Sequence, residues 1–166
     1  VLTGMMGVGK TTLGRLTAKR LKVKFIDIDK AIERKERKTI KKIFEENGEK
    51  YFRKIEKKIT FKFLKKKNVV IALGGGAFIN KEIREKILRS CISVWLKVDL
   101  DKLIKRYKRS DRRPLVNNQK LDNEMKKLYL LRKKIYSLAN FKVNCDNMSK
   151  TQVVEKVLFY YENQST

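Results

Sequence analysis

Gly4-Met5-Met6-Gly7-Val8-Gly9-Lys10-Thr11 stands between an apolar opening, Val1-Leu2-Thr3, and a segment with helical spacing, Thr11–Leu21. The octet fits G-x-x-x-x-G-K-[ST], and a strand before it with a helix after it is the context that gives the pattern its chemistry. Its glycines let successive N–H groups turn inward around phosphate oxygens, and the helix N-terminus adds its dipole. Lys10 supplies a charge to the β and γ phosphates, and Thr11 offers a hydroxyl to Mg2+. Strand, phosphate-cradling loop and helix are also the first unit of a parallel α/β sheet.

Outward from this unit, short Val- and Ile-rich runs recur at Val23–Ile28, Val69–Leu73, Cys91–Val98 and Phe141–Cys145, which with Val1–Thr3 read as five buried strands. Between them, Tyr51–Leu64, Lys81–Leu88, Leu100–Tyr107 and Leu121–Leu138 carry apolar residues three and four apart, the last through Leu121, Met125, Leu128, Leu131, Ile135 and Leu138. A final helix, Val153–Tyr161, has Ser149 or Thr151 to cap it. Alternating strands and helices predict a three-layer α/β domain, a parallel sheet covered on both faces. It spans residues 1–166 without repeat or linker. The polar stretch Lys108–Lys120 holds the only proline, Pro114, and reads as the one mobile loop.

Composition narrows the chemistry. The 166 residues include 43 Lys and Arg against 18 Asp and Glu, a net charge of +25, with no His and two Cys. Without His, and with Cys91 and Cys145 far apart, neither the usual zinc sites nor a His-dependent triad can be built. No apolar run reaches membrane-spanning length. The opening residues lack a secretory signal and read as a chain that starts inside a strand, with residues upstream of it. Of the basic residues 31 are Lys, spread along the whole chain, so the charge reads as solvated helix faces and biased codon usage rather than as a nucleic-acid groove.

Ligands of open parallel sheets bind beyond the carboxyl ends of the strands, and three further features fall there. Phe25-Ile26-Asp27-Ile28-Asp29 ends the second strand. Residues two apart in a strand share a face, so both carboxylates are expected to leave together, Asp27 for Mg2+ and Asp29 for an acceptor hydroxyl, unless they cap the next helix. Gly74-Gly75-Gly76 follows the third strand and offers bare N–H groups with no Cβ in the way. Arg53, in a helix whose apolar face would be Phe52, Ile55, Ile59 and Phe63, can fork to the carboxylate of an acceptor or to that of Glu56. Aromatic residues such as Phe44, Tyr51 and Tyr129 are expected at apolar helix positions.

Taken together, these residues resemble the shikimate kinase family over nearly the whole chain. Gly4–Thr12 is similar to its phosphate loop, Phe25-x-Asp27-x-Asp29-x-x-Ile32-Glu33 to its Asp-x-Asp element, Phe52-Arg53-x-x-Glu56 to its substrate Arg segment and Leu73-Gly74-Gly75-Gly76 to its triple-glycine loop. Arg106 and Arg113-Pro114-Leu115 resemble its adenine and lid arginines, and Leu128-x-x-x-Arg132-x-x-x-Tyr136 the helix giving a second Arg to the substrate. The resemblance implies a P-loop kinase fold with a five-stranded parallel sheet of order 2-3-1-4-5, a substrate-binding region near 29–56 and a lid near 106–118. It implies an ATP-dependent phosphotransferase acting on the 3-hydroxyl of shikimate, with one Mg2+ ion. Gly7, Val8, Gly9, Lys10, Thr11, Thr12, Arg106 and Arg113 would hold the nucleotide, with Arg109 as the reserve for Arg106 against adenine. Thr11 and Asp27 would serve the metal, and Asp29, Arg53, Gly74, Gly75, Gly76 and Arg132 the substrate. Lys10, Asp29 and Arg113 would carry catalysis, in a cytoplasmic monomer with no membrane or nucleic-acid partner. A gluconate-type kinase would keep Lys10 without the Asp27/Asp29, Arg53 and Gly74–Gly76 set. A spent kinase scaffold that binds nucleic acid predicts decay at Lys10, Asp29 or Arg113, where the sequence keeps all three.

Overall fold

The computed structural model describes residues 1–108 and 118–163. Their elements run β1 (Leu2–Thr3), α1 (Lys10–Arg20), β2 (Lys24–Asp27), α2 (Ile28–Glu36), α3 (Ile40–Leu64), β3 (Val69–Ala72), α4 (Lys81–Ser90), β4 (Val94–Lys97), α5 (Leu100–Lys108), α6 (Asn118–Tyr136), β5 (Phe141–Asn144) and α7 (Lys150–Glu162), with a 3-10 turn at Ala77–Ile79. The strands form one parallel sheet in the order β2-β3-β1-β4-β5. Leu2 sits opposite Ala72 on one side and Val94 on the other, which puts the phosphate loop at the centre of the sheet's carboxyl edge.

The strands expected from the sequence are all present, one to three residues shorter at their ends. In β3 and β4 consecutive residues are buried, Val70-Ile71-Ala72 and Val94-Trp95-Leu96, because helices cover both faces there. The outer strands β2 and β5 expose alternate or flanking residues, as edges do. Ile28, Ile32, Phe78, Ile83, Ile87, Leu96 and Leu103 lie at the centre of the core.

The helix that follows the second strand, α2, has a short amphipathic pattern buried only at Ile28 and Ile32. Other helical expectations need correction. The helix expected from Tyr51 starts eleven residues earlier at Ile40, capped by Thr39, and is interrupted at Gly48 (φ 77°). In α6 the apolar stripe holds in part: Met125 is buried and Leu128 and Ile135 pack against the core, but Leu131 is 63% exposed, Leu138, beyond the helix, is 53% exposed, and Tyr136 takes a core place. The stripe is trimmed by what α6 packs against, the 3-10 turn and α5. Phe44 and Tyr51 likewise lie at the surface, Tyr51 donating its hydroxyl hydrogen bond to Glu36. At α7, Ser149 is the cap, with a reciprocal bond to Gln152.

Candidate active site

The phosphate loop leaves β1 through Gly4, where φ is 138° and a Cβ would stand 2.6 Å from the carbonyl oxygen of Leu96; only glycine fits both conditions. It enters α1 through Gly9 in the left-handed region. No acidic residue occupies the first turn of α1, so its N–H groups and dipole remain available to an anion. Lys10 donates from Nζ to the carbonyls of Gly4 (2.8 Å) and Met5 (2.9 Å), which closes the loop on itself. Burial pulls its pKa down to about 8, against the opposing pull of Asp29 and then Asp27.

Asp27 does two jobs. As the last residue of β2 it caps α2, accepting from the N–H of Lys30 (3.2 Å), and its Oδ2 accepts from Thr11 Oγ1 at 2.5 Å. Asp29 lies in the first turn of α2, so the expected strand pair is corrected: the chain turns helical after Asp27, and the two carboxylates approach the loop by different routes. Burial raises the pKa of Asp29, with Lys10 the strongest opposing charge.

The three glycines after β3 are each faced by a different functional side chain. A Cβ on Gly74 would stand 2.5 Å from Asp29 Oδ1 and 2.8 Å from Glu56 Oε1; on Gly75, 3.6 Å from Arg132 Nη1; on Gly76, 2.5 Å from Arg53 Nη1. The missing side chains at Gly74 and Gly76 therefore make room for the acids and Arg53 rather than only for a ligand. The carbonyl of Gly75 accepts from Arg132 Nη1 (3.2 Å) and from the Tyr136 hydroxyl. Burial pushes the Tyr136 phenol up to about 12, so it stays neutral and donates.

Arg53 forks to two carboxylates of its own helix. It donates to Glu56 Oε2 (2.7 Å) and, through Nε (3.1 Å) and Nη2 (3.0 Å), to Glu49 Oε1. Of the two forks expected, the structure shows the one to Glu56. Glu49 and Tyr136 were given no role from sequence, although helical spacing, four residues before Arg53 and four after Arg132, was the available signal.

A cavity of about 350 Å³ opens beside the loop, lined by Val8, Gly9, Thr12, Leu13, Arg106, Cys145, Met148, Lys150 and Val153. Arg106 shares this cavity with Val8, Gly9 and Thr12 of the phosphate loop. Cys145 and Met148 come from the β5–α7 connection and Lys150 from the first turn of α7, which no sequence motif marked. Arg109 and Arg113 lie outside the described residues, as does most of the expected lid. A larger cavity of about 530 Å³, lined among others by Leu21, Leu64 and Val69, is at the opposite, amino edge of the sheet and holds none of these groups.

Among the described residues no group of three or more His, Cys, Asp or Glu is arranged to hold a metal. Mg2+ does not require such a group: it takes one or two protein oxygens and completes its shell with phosphates and water. Thr11 Oγ1 and Asp27 Oδ2, already paired at the mouth of the loop, are such donors.

A parallel sheet of this order, a phosphate loop at its centre and an acid-and-arginine cluster beside it define a P-loop phosphotransferase for a small anionic alcohol. The family model described as Shikimate kinase matches residues 6–161. The chain is 40% identical to the shikimate kinase of Persephonella marina over 157 residues, 95% of this chain and 94% of that one, and 40% identical to that of Bartonella quintana over 98% of this chain and 78% of that one. Among solved structures it is similar to the shikimate kinase of Acinetobacter baumannii in complex with shikimate, with a TM-score of 0.90 and 32% identity over 98% of this chain and 92% of that one. The Aquifex aeolicus shikimate kinase gives 0.87 and 35%, covering 99% and 96%. The chain belongs to the shikimate kinase family.

Proposed function

We propose that this chain transfers the γ-phosphoryl group of Mg-ATP to the 3-hydroxyl of shikimate, giving shikimate 3-phosphate and ADP, the step its family performs in aromatic amino-acid biosynthesis. The observation that carries the residue roles is the triple-glycine loop, ringed by two carboxylates, Asp29 and the Arg53-paired Glu56, and two guanidinium groups, Arg132 and Arg53, with Asp29 and Arg132 acting on Lys10. An acceptor with hydroxyls at one end and a carboxylate at the other matches that arrangement.

Arg53 and Arg132 hold the acceptor's carboxylate, and Gly74, Gly75 and Gly76 let it lie against backbone. Asp29 accepts a hydrogen bond from the 3-hydroxyl and takes its proton as the oxygen attacks phosphorus; a carboxylate pushed upward by burial is the better base. Lys10 leaves the carbonyls of Gly4 and Met5 for the β- and γ-phosphoryl oxygens and stabilises the charge that spreads over them. Gly7, Val8, Gly9 and Thr12 supply the loop's backbone contacts, Arg106 flanks adenine, and Arg113 closes over the phosphates from the lid. Bound at Thr11 and Asp27, one Mg2+ ion would neutralise charge between the β and γ phosphates. A single domain over 1–166, acting as a cytoplasmic monomer without nucleic acid, completes the reading; among the described residues no helix is long and apolar enough to cross a membrane.

The test is ADP release from Mg-ATP with shikimate, gluconate, nucleoside monophosphates or no acceptor. Release confined to shikimate is expected. Release with gluconate instead would overturn the roles of Asp29, Arg53 and Arg132.

A further inference from the structure

The cavity beside the phosphate loop takes lining residues from two separate parts of the chain, Arg106 from α5 and Cys145 and Met148 from the segment after β5. That segment has little of its own to hold it. Its last sheet bond runs from Cys145 N–H to the carbonyl of Lys97 (2.8 Å), and regular structure resumes only at Ser149, the cap of α7. Asp146 and Asn147 lie between. Polar groups in such a stretch, outside any ladder, have to find partners on side chains or elsewhere in the fold.

α5 supplies them. The N–H of Asp99, just before the helix, donates to Asp146 Oδ1 (2.7 Å). From the first turn of the helix, Lys102 Nζ donates to the carbonyl of Asp146 (2.8 Å) and to Asn147 Oδ1 (3.2 Å). Asp99 is fixed in its turn, its Oδ1 accepting from Asp101 N–H (3.0 Å) and its carbonyl from the N–H of buried Leu103 (3.0 Å). Three bonds therefore join Asp146-Asn147, whose chain neighbours Cys145 and Met148 line the cavity, to α5. Arg106 follows Lys102 by four residues, one turn along the same helix face.

We infer that Lys102 is a positioning residue for the nucleotide: with Asp146 it clamps α5 to the β5–α7 segment and so sets the gap between Arg106 and Cys145-Met148 that receives the base. Neither Lys102 nor Asp146 lines the cavity itself. What the clamp provides is preorganisation, since a slot already held at one width needs no ordering when the base enters. The phosphates, bound by the loop and Lys10, are indifferent to it. The inference rests on the nucleotide site proposed above and is independent of which acceptor is phosphorylated.

Calorimetric affinities for ADP and for inorganic pyrophosphate, which has no base, separate the bonds of Lys102 from its charge. Lys102→Met should weaken ADP binding about tenfold and leave pyrophosphate within about twofold of wild type. Asp146→Ala removes the opposite charge together with the bond from Asp99, and should weaken ADP binding as well. Asp146→Asn keeps an acceptor at Oδ1 and should restore it. In turnover, KM for ATP should follow the ADP affinity while KM for shikimate is unchanged. A loss shared by pyrophosphate, opposite effects of Lys102→Met and Asp146→Ala, or unchanged ADP affinity in both variants overturns the clamp. A wild type that binds ADP no more tightly than pyrophosphate overturns the base site on which the clamp rests. If the ADP losses appear as expected but the wild type does not phosphorylate shikimate, the acceptor reading fails and the clamp stands.

Discussion

Lys10 is held in this structure by carbonyl oxygens of its own loop, a weak substitute for phosphate, and its burial depresses its pKa to about 8. Because the folded-state value, about 8, lies below the ordinary 10.5, the unligated fold is penalised for keeping Lys10 charged at neutral pH. That penalty disappears as pH rises from 8 to 10.5, and it is lifted at any pH by a bound phosphate that favours the ammonium. ADP binding at pH 8.5 should therefore take up protons, seen as a buffer-dependent calorimetric enthalpy, and affinity should fall by up to about tenfold for each further pH unit. Lys10→Ala should remove the proton uptake and lower kcat by about 10²- to 10³-fold, as loss of a transition-state donor does elsewhere. Arg53→Ala should act on the other substrate: a lost charged bond of about 1.5–3 kcal/mol raises KM for shikimate about 10- to 100-fold and leaves ADP affinity unchanged. Equal losses of both would mark Arg53 as structural.

Among the elements, the glycine loop and α3 are mutually fitted. Gly76→Ala would place a methyl carbon 2.5 Å from Arg53 Nη1, and since the guanidinium is the far end of a flexible side chain it will swing away. The expected result is a KM for shikimate raised about tenfold with little change in melting temperature, because only a charged hydrogen bond is misaimed. Gly74→Ala meets Asp29 and the enclosed Glu56 together and should cost stability as well. At the far end of the chain, Ser149→Ala removes both the cap and its reciprocal bond to Gln152, for a loss of about 1 kcal/mol in unfolding free energy and none in kcat.

Across the molecule, the net charge of +25 sets the self-repulsion. Much of it is Lys on exposed positions, such as Lys41, Lys81 and Lys30, paired only with surface carboxylates. Added salt screens such repulsion beyond a Debye length of about 8 Å at 0.15 M. Raising NaCl from about 0.02 M to about 0.3 M should therefore lift the melting temperature by about 2–4 °C, the equivalent of about 1 kcal/mol. Any association with duplex DNA should collapse over the same range, since a phosphate-driven contact weakens steeply with salt. Salt-resistant binding would instead reveal a dedicated groove.

The sequence by itself made legible the phosphate loop, the five strands and the candidates Asp27, Asp29, Arg53 and Gly74–Gly76, because each sits in a motif whose spacing is fixed by a local backbone conformation, and the family resemblance added Arg132. Local rules also narrowed the cap of α7 to Ser149 or Thr151, of which the structure uses Ser149, and set the apolar seam of α3 through Phe52, Ile55 and Ile59. Only the tertiary structure decided that Asp29 comes from a helix, that Glu49 and Glu56 share Arg53, that Tyr136 pins Gly75, and that Cys145, Met148 and Lys150 line the cavity beside Arg106. These are contacts between segments far apart in sequence, 61 residues for Tyr136 and Gly75, or choices among equally polar neighbours on one helix. Periodicity says which residues can share a face; it cannot say which face the rest of the chain will cover.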